Sequence, residues 1–289
     1  MNEFLGFLLS GVTVGFIYAL VGIGFTVIYN SSGIINFSQG EFVMAGGMST
    51  VFLLKAGLPL GVSFILAIMV TSIIGIVLYK LISFSKESSQ ISLIILTLGF
   101  AIFLRGLAEV VFDKELHTMP SFVGDGSFDM FGTTLTYQSI LIMIVSIVIV
   151  TFLYFFFKKT KTGQAMMAAS INVDAARLMG INIKKILMIN FALSAAIAAI
   201  GGVLLTPITS TNYEVGIMLG LKGFAAAIIG GLSNPFGAVA GGLVLGILES
   251  LIAGYISSEY KDAVAFVALL AILFFMPGGI FGNTKAQRV

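Results

Sequence analysis

Five ionisable residues stand inside runs of apolar sequence: Glu41, Arg105, Glu109, Lys222 and Glu249. A charge in hydrocarbon surroundings is costly, so each should face a bundle interior, a cavity or a partner of opposite sign. Arg105 and Glu109 are spaced i, i+4, where two side chains meet on one helix face, and are expected to neutralise each other. Lys222 and Glu249 lie near the outer ends of their runs and are expected to reach water. Glu41 follows Ile35-Asn36-Phe37-Ser38-Gln39-Gly40, a polar patch that opens a short apolar run. It reads either as capping of a helix start or as part of a pore or gate. His117, the single histidine, sits in a polar segment and is expected to be solvated.

Other chemistry is excluded by residue type. With no cysteine and one histidine, neither a thiolate site nor a multi-histidine metal site can form. No Ser/His/Asp set or pair of catalytic carboxylates stands out. No GxxxxGK[ST] sequence is present, so ATP binding through a Walker loop is not expected. The basic, aromatic surface of a nucleic-acid binder is missing too.

The elements that must position these residues are set by composition. The chain of 289 residues is 58% hydrophobic and only 10% charged, against about 25% charged in a soluble domain. Too few charges remain for a water-facing surface, so the class is membrane protein. Apolar runs fall at about 4–28, 37–54, 60–82, 91–112, 138–157, 187–207, 216–231, 236–254 and 262–282. The runs at 37–54, 216–231 and 236–254 are short or broken by glycine and read as tilted, re-entrant or broken helices; the other six read as full spans. Backbone polar groups in a bilayer must be satisfied internally, and period-two alternation is absent, so the fold class is all-α: a polytopic transmembrane bundle of eight or nine segments. The chain reads as one domain over 1–289, with a diverged inverted repeat left open.

Basic residues mark the cytoplasmic ends. Lys80, Lys86, Lys158, Lys159, Lys161, Arg177, Lys184, Lys185, Lys285 and Arg288 cluster in the connections 80–91 and 158–187 and in the tail. Asp113, Glu115, Asp125, Asp129, Glu214, Glu259 and Asp262 mark the opposite side, where 113–137 reads as an ordered external loop. Nine crossings would place the N-terminus outside; one re-entrant run would place it inside.

Two stretches carry further information. In 162–186, Asn172 is a good N-cap and Gly180 a good C′ residue, with Asp174 and Arg177 suited to the helix dipole and Thr162 able to cap a preceding short helix. Two short helices rich in Ala and Met are expected between spans. They suit docking on a cytoplasmic partner or, equally, lying in the headgroup layer. In 230–249, Gly237/Gly241 and Gly242/Gly246 form overlapping small-xxx-small patterns that allow backbone-to-backbone packing; static packing is the commoner use, a mobile interface the other. Segment 187–206, with Ser194, Ala195, Ala198, Gly201 and Gly202, should also be a close-packed helix.

These residues, in order along nearly the whole chain, resemble the permeases of high-affinity branched-chain amino-acid ABC importers, the LivH/LivM type. The matching blocks are Tyr18-Ala19-Leu20 with Gly24, Ile35-Asn36-Phe37 with Gly40-Glu41-Phe42, Gly163-Gln164-Ala165-Met166, Asp174-Ala175-Ala176-Arg177-Leu178-Met179-Gly180-Ile181, the late glycines Gly230, Gly231, Gly237, Gly241, Gly242 and Gly246 with Glu249, and Met276-Pro277-Gly278-Gly279-Ile280-Phe281-Gly282. Ser38-Gln39 stands where the family commonly has Ala-His, and Met276 where it usually has Arg.

The resemblance implies a transport subunit, not an enzyme, in the cytoplasmic membrane of a prokaryote. Its implied partners are a second permease subunit, two cytoplasmic ATPases that carry the ATP and Mg, and an external substrate-binding protein. Gly163, Gln164, Ala165, Asp174, Ala175, Ala176, Arg177, Leu178 and Gly180 become candidates for ATPase coupling. Asn36, Gly40, Glu41, Gly230, Gly231, Gly237, Gly241 and Glu249 become candidates for the pathway and its gates. No cofactor is expected on this chain. Permeases for urea, amides, sugars or nucleosides, a secondary transporter, and an intramembrane enzyme are the alternatives.

Overall fold

A computed structural model describes residues 2–85, 89–130 and 133–282. Lys86, Lys285 and Arg288, counted above among the basic residues, lie outside them. Eleven helices are described: α1 (Asn2–Ser32), α2 (Gln39–Lys55), α3 (Leu60–Phe84), α4 (Gln90–Phe112), α5 (Tyr137–Lys159), α6 (Lys161–Ile171), α7 (Val173–Leu178), α8 (Ile183–Thr209), α9 (Val215–Gly230), α10 (Pro235–Tyr255) and α11 (Lys261–Phe275). Six of them, α1, α3, α4, α5, α8 and α10, are long and apolar enough to cross a membrane. The expected set of six differs at two places. The glycine-rich run at 236–254 is a full helix of 21 residues, capped by Asn234 with Pro235 at its first position, because its glycines are covered by neighbouring helices and break nothing. The run at 262–282 yields a helix of only 15 residues, since Pro277 restricts Met276 and ends it.

The segment read as an external loop, 113–137, holds the single strand pair among the described residues: β1 (Ser127–Met130) pairs antiparallel with β2 (Thr133–Thr136). The β-branched threonines of β2 favour the extended form.

Packing relates the two ends of the chain. α1 packs on α10 as α8 packs on α3, α2 on α8 as α9 on α1, and the pairs α1–α8 and α2–α9 meet at the centre. The scheme maps onto itself when α1–α4 are exchanged with α8–α11. This is the inverted repeat that the sequence left open, with α5–α7 as the link between halves.

Each half has one long helix, a re-entering segment and a short helix. After α1 ends at Ser32, residues 33–38 turn back into the bundle, and Gln39 lies beside Gly24 and Ser194. Gly24 is eight residues before the end of α1, about 12 Å at helical rise. In the second half, 210–214 turn back after α8, and Gly216 meets Gly40 backbone to backbone. Two short helices therefore start inside the bundle, nose to nose.

Glycine sets the central packing distances. Gly11 and Gly15 of α1 face Gly242 and Gly246 of α10, while Gly237 and Gly241 on another face of α10 meet Gly230 and Ala226 of α9. The first residues of α1 pack near the β hairpin, Gly6 against Thr133, and Phe7 meets Tyr255 at 5.3 Å. The N-terminus thus lies at the acidic end of the bundle, and Gly282, packed on Gly231, at the basic end. That is the arrangement expected for nine crossings, with α2 entering part-way through.

Candidate functional site

At the re-entrant start of α2, the backbone N–H groups that a helix leaves open are satisfied locally: Asn36 Oδ1 accepts from Ser38 N–H at 3.1 Å, and the Ser38 carbonyl accepts from Glu41 N–H at 3.0 Å. Ser38 Oγ donates to the Thr97 carbonyl of α4 at 2.6 Å. Glu41 is not a cap. Its side chain is buried, and its Oε1 receives a hydrogen bond from Arg105 Nη2 at 2.6 Å. The expected Arg105–Glu109 pair does not form: Glu109 pairs with Lys114 at 2.7 Å. Within α4 the i, i+4 geometry was available, but Arg105 instead compensates a deeply buried carboxylate on another helix, where an unpaired charge costs most.

This ion pair lies at one end of a cleft between α4 and α9. The cleft holds about 670 Å³ of empty space, partly open to the outside, with Phe25, Phe37, Ile102, Leu221 and Phe224 among its walls. Gly216 and Gly220, the glycines that touch Gly40, also line it. Of the pathway candidates, Asn36, Gly40 and Glu41 are gathered here.

The others are elsewhere. Gly230, Gly231, Gly237 and Gly241 build a tight corner between α9 and α10 at the basic end, in which Gly231 takes φ +103°, a backbone form that favours glycine. The turn after α11 clamps this corner: Ile280 N–H donates to the Ile229 carbonyl at 2.8 Å and Phe281 N–H to the Gly230 carbonyl at 3.1 Å. Glu249 belongs to a second charge cluster, and here the expectation of contact with water fails. Lys222 is 5% and Glu249 7% exposed. Lys222 Nζ lies 2.6 Å from Glu249 Oε1 and 2.6 Å from Asp262 Oδ1, and Tyr18 O–H donates to Glu249 Oε2 at 2.7 Å. Four helices, α1, α9, α10 and α11, meet through this cluster. Tyr18 and Asp262 gave no sign of it in sequence, because each partner lies on a different helix.

His117 is also buried, at 5% exposure. Its Nδ1 is 2.9 Å from Lys55 Nζ and its Nε2 3.0 Å from Asp113 Oδ1, while its backbone bridges to Thr211 in both directions at 2.8 Å. It ties the external loop to α2 and to the second re-entrant segment. Asp113, outside the spans, has its carboxyl held below the usual range, first by the Glu115 N–H and then by His117 and Lys55.

The two short helices are present at the basic end. Asn172 caps α7 through Ala175 N–H at 2.9 Å, and Gly180 has φ +81°, both as expected. The cap of α6 is Thr160, not Thr162; its Oγ1 accepts from Gly163 N–H at 3.0 Å. Gly163 is buried against the Phe156 carbonyl, and Ala176 packs with Met166, Ala169 and Ile186. Gln164, Asp174, Ala175, Arg177, Leu178 and Gly180 are exposed, and Ala165 is half-buried. Arg177 and Asp174 form an ion pair of 3.5 Å on the outer face. Exposed beside them are Met167, Ile171, Leu178 and Met179. On its inner side α6 lines a partly open pocket with the end of α1 and residues 233–236, where the chain turns into α10.

A glycine-packed bundle with re-entrant half-helices, a charged cleft at mid-depth and two helices projecting at its basic end defines a polytopic membrane protein of the transport permease class. The chain belongs to the branched-chain amino acid transport system permease component family, whose model matches residues 7–273. It is 34% identical to the high-affinity branched-chain amino acid transport system permease protein LivH of Salmonella typhimurium, covering 100% of this chain and 99% of that protein. It is 33% identical to BraD, the corresponding permease protein of Pseudomonas aeruginosa, over 98% of this chain and 97% of that one. Among solved structures, PsaBC from Streptococcus pneumoniae in complex with Fab shares the fold at a TM-score of 0.53 and 14% identity, over 96% of this chain and 93% of that one.

Proposed function

We propose that this chain is the permease subunit of an ATP-driven ABC importer that carries branched-chain amino acids by alternating access. It sits in the cytoplasmic membrane of a prokaryote, the basic end inside. A second permease, a copy or a homologue, completes the path. Two cytoplasmic ATPases bind the ATP and Mg, and an external binding protein delivers the substrate.

The observation that carries this reading is the α6–α7 projection. Its inner face is built into the bundle through Met166, Ala169 and Ala176, while its outer face leaves Ile171, Leu178 and Met179 each more than four-fifths exposed. A large apolar side chain held out on a rigid support is the form of an interface anchor. The same α6 borders the cavity shared with the α9–α10 turn, so displacement of α6 by a partner bears on that corner and on the helices it joins. Movement of packed elements between two discrete arrangements is how such a push becomes alternating access.

Gentle purification of the tagged chain from native membranes, with co-purifying proteins identified by mass spectrometry, tests the assembly. Recovery of an ATPase with a Walker motif is expected. Recovery of this chain alone, under conditions that preserve a control ABC complex, would replace this reading with a secondary transporter.

A further inference from the structure

Glu41 and Arg105 form an incomplete pair. Glu41 Oε1 receives Arg105 Nη2 at 2.6 Å, but Glu41 Oε2 and Arg105 Nε have no hydrogen-bond partner, although both atoms are buried. The Glu41 side chain is only 3% exposed and that of Arg105 28%. Both residues line the cleft between α4 and α9, and Oε2 lies against Gly216 at the first turn of α9. The remaining walls are apolar and aromatic, with Phe37 5.6 Å from Phe224 and Phe25 5.4 Å from Phe224.

A buried ion pair resists opening, because separating its members leaves two unpaired charges in low dielectric. A neutral polar solute cannot replace either partner. A molecule with an ammonium and a carboxylate on one carbon can replace both: its ammonium takes Glu41, its carboxylate takes Arg105, and no charge is left alone. The two half-helices α2 and α9 start beside Glu41, so the positive ends of their dipoles favour its ionised form, the form that an ammonium needs as partner. The substituent on that carbon then meets Phe25, Phe37 and Phe224, which favours an apolar one.

We infer that the Glu41–Arg105 pair is a head-group site for zwitterionic apolar amino acids within the membrane pathway, opened by charge-conserving exchange with the passing substrate. The inference rests on the importer reading and adds to it a selectivity step inside the bundle, separate from the external binding protein.

The assembled complex in nanodiscs, without binding protein, is tested for binding of tritiated L-leucine by scintillation proximity. Leucine binding is expected in the wild type, displaced by unlabelled leucine but not by leucinamide, which lacks the carboxylate, or by 4-methylpentanoate, which lacks the ammonium. Glu41→Gln and Arg105→Gln should each weaken binding at least tenfold. Ala101→Phe, which fills the cleft and leaves the pair in place, should do the same. The double variant E41Q/R105Q, whose members can still hydrogen-bond, should regain wild-type thermal stability without regaining leucine binding. Equal competition by leucinamide, or unchanged binding in Ala101→Phe and Glu41→Gln, would overturn the inference. ATP hydrolysis stimulated by binding protein in the same nanodiscs reports on the importer reading independently. Stimulated hydrolysis with no leucine binding to the wild type would remove the head-group site alone.

Discussion

Lys222 Nζ stands 2.6 Å from Glu249 Oε1, on adjoining helices and almost sealed from solvent. Asp262, also at 2.6 Å, gives the lysine a second carboxylate, and Tyr18 holds the glutamate from α1. Lys222→Met leaves Glu249 buried without its cation. The expected loss is about 3–5 kcal/mol, the range for breaking one side of a buried pair. Glu249→Gln should cost less, because Asp262 still neutralises the lysine. Thermal unfolding of the detergent-solubilised chain, followed by fluorescence-detected size exclusion, should rank the two in that order; a reverse ranking would mean that Asp262 does not neutralise the lysine and that Glu249 is its main partner.

Leu178 ends α7 with 89% of its surface exposed. A residue that supports nothing within the bundle should be replaceable without unfolding it. Leu178→Asp is therefore expected to leave expression and melting temperature unchanged while lowering uptake at least about tenfold, which corresponds to about 1.4 kcal/mol of lost docking. Substrate uptake by cells, normalised to permease in the membrane, measures this. Undiminished uptake would indicate that α7 lies against headgroups.

Much of this design was legible from spacing alone. The spans α1, α3, α4, α5 and α8 followed from apolar runs, the α7 cap from Asn172 and Gly180, and the close packing around Gly237 and Gly241 from the small-xxx-small pattern, because each of these is a local property of the chain. The ion pairs were not. Arg105 offered a partner four residues away and took one 64 residues away; Lys222 and Glu249 were placed near water although α1 and α11 close over them. Which charges meet depends on helix rotation and on the inverted pairing of the two halves, and a single helix encodes neither. His117 was misplaced for the same reason, since its burial is produced by α2 and by the segment after α8.

The contact between α1 and α10 leaves no room for a side chain. A β-carbon on Gly246 would meet the Gly11 carbonyl and the Gly15 backbone, and one on Gly15 would come within 2.9 Å of the Gly242 carbonyl. Backbone cannot give way as a flexible side chain does. Gly246→Leu should therefore exceed the roughly 1–3 kcal/mol of ordinary overpacking and prevent stable insertion. Gly106→Leu, at an open position, serves as the control. Membrane-fraction yield of the two variants decides: equal yields would contradict backbone-to-backbone packing here.

Asp113 links pH to the external loop. Its carboxyl titrates below its ordinary value because the ionised form accepts the Glu115 N–H and faces His117 and Lys55. A depressed pKa in the folded state means that the stabilising contribution is complete above the unfolded carboxylate range and disappears as pH falls through the lowered folded value. The contribution is thus present at neutral pH and lost only on acidification. Asp113→Asn keeps an oxygen for the Glu115 N–H but removes the charge, so its melting temperature should lie below that of the wild type at neutral pH and converge with it in acid. Melting temperatures of both proteins across that window check the sign. If the gap instead widened on acidification, the controlling titration would be that of another group in the loop.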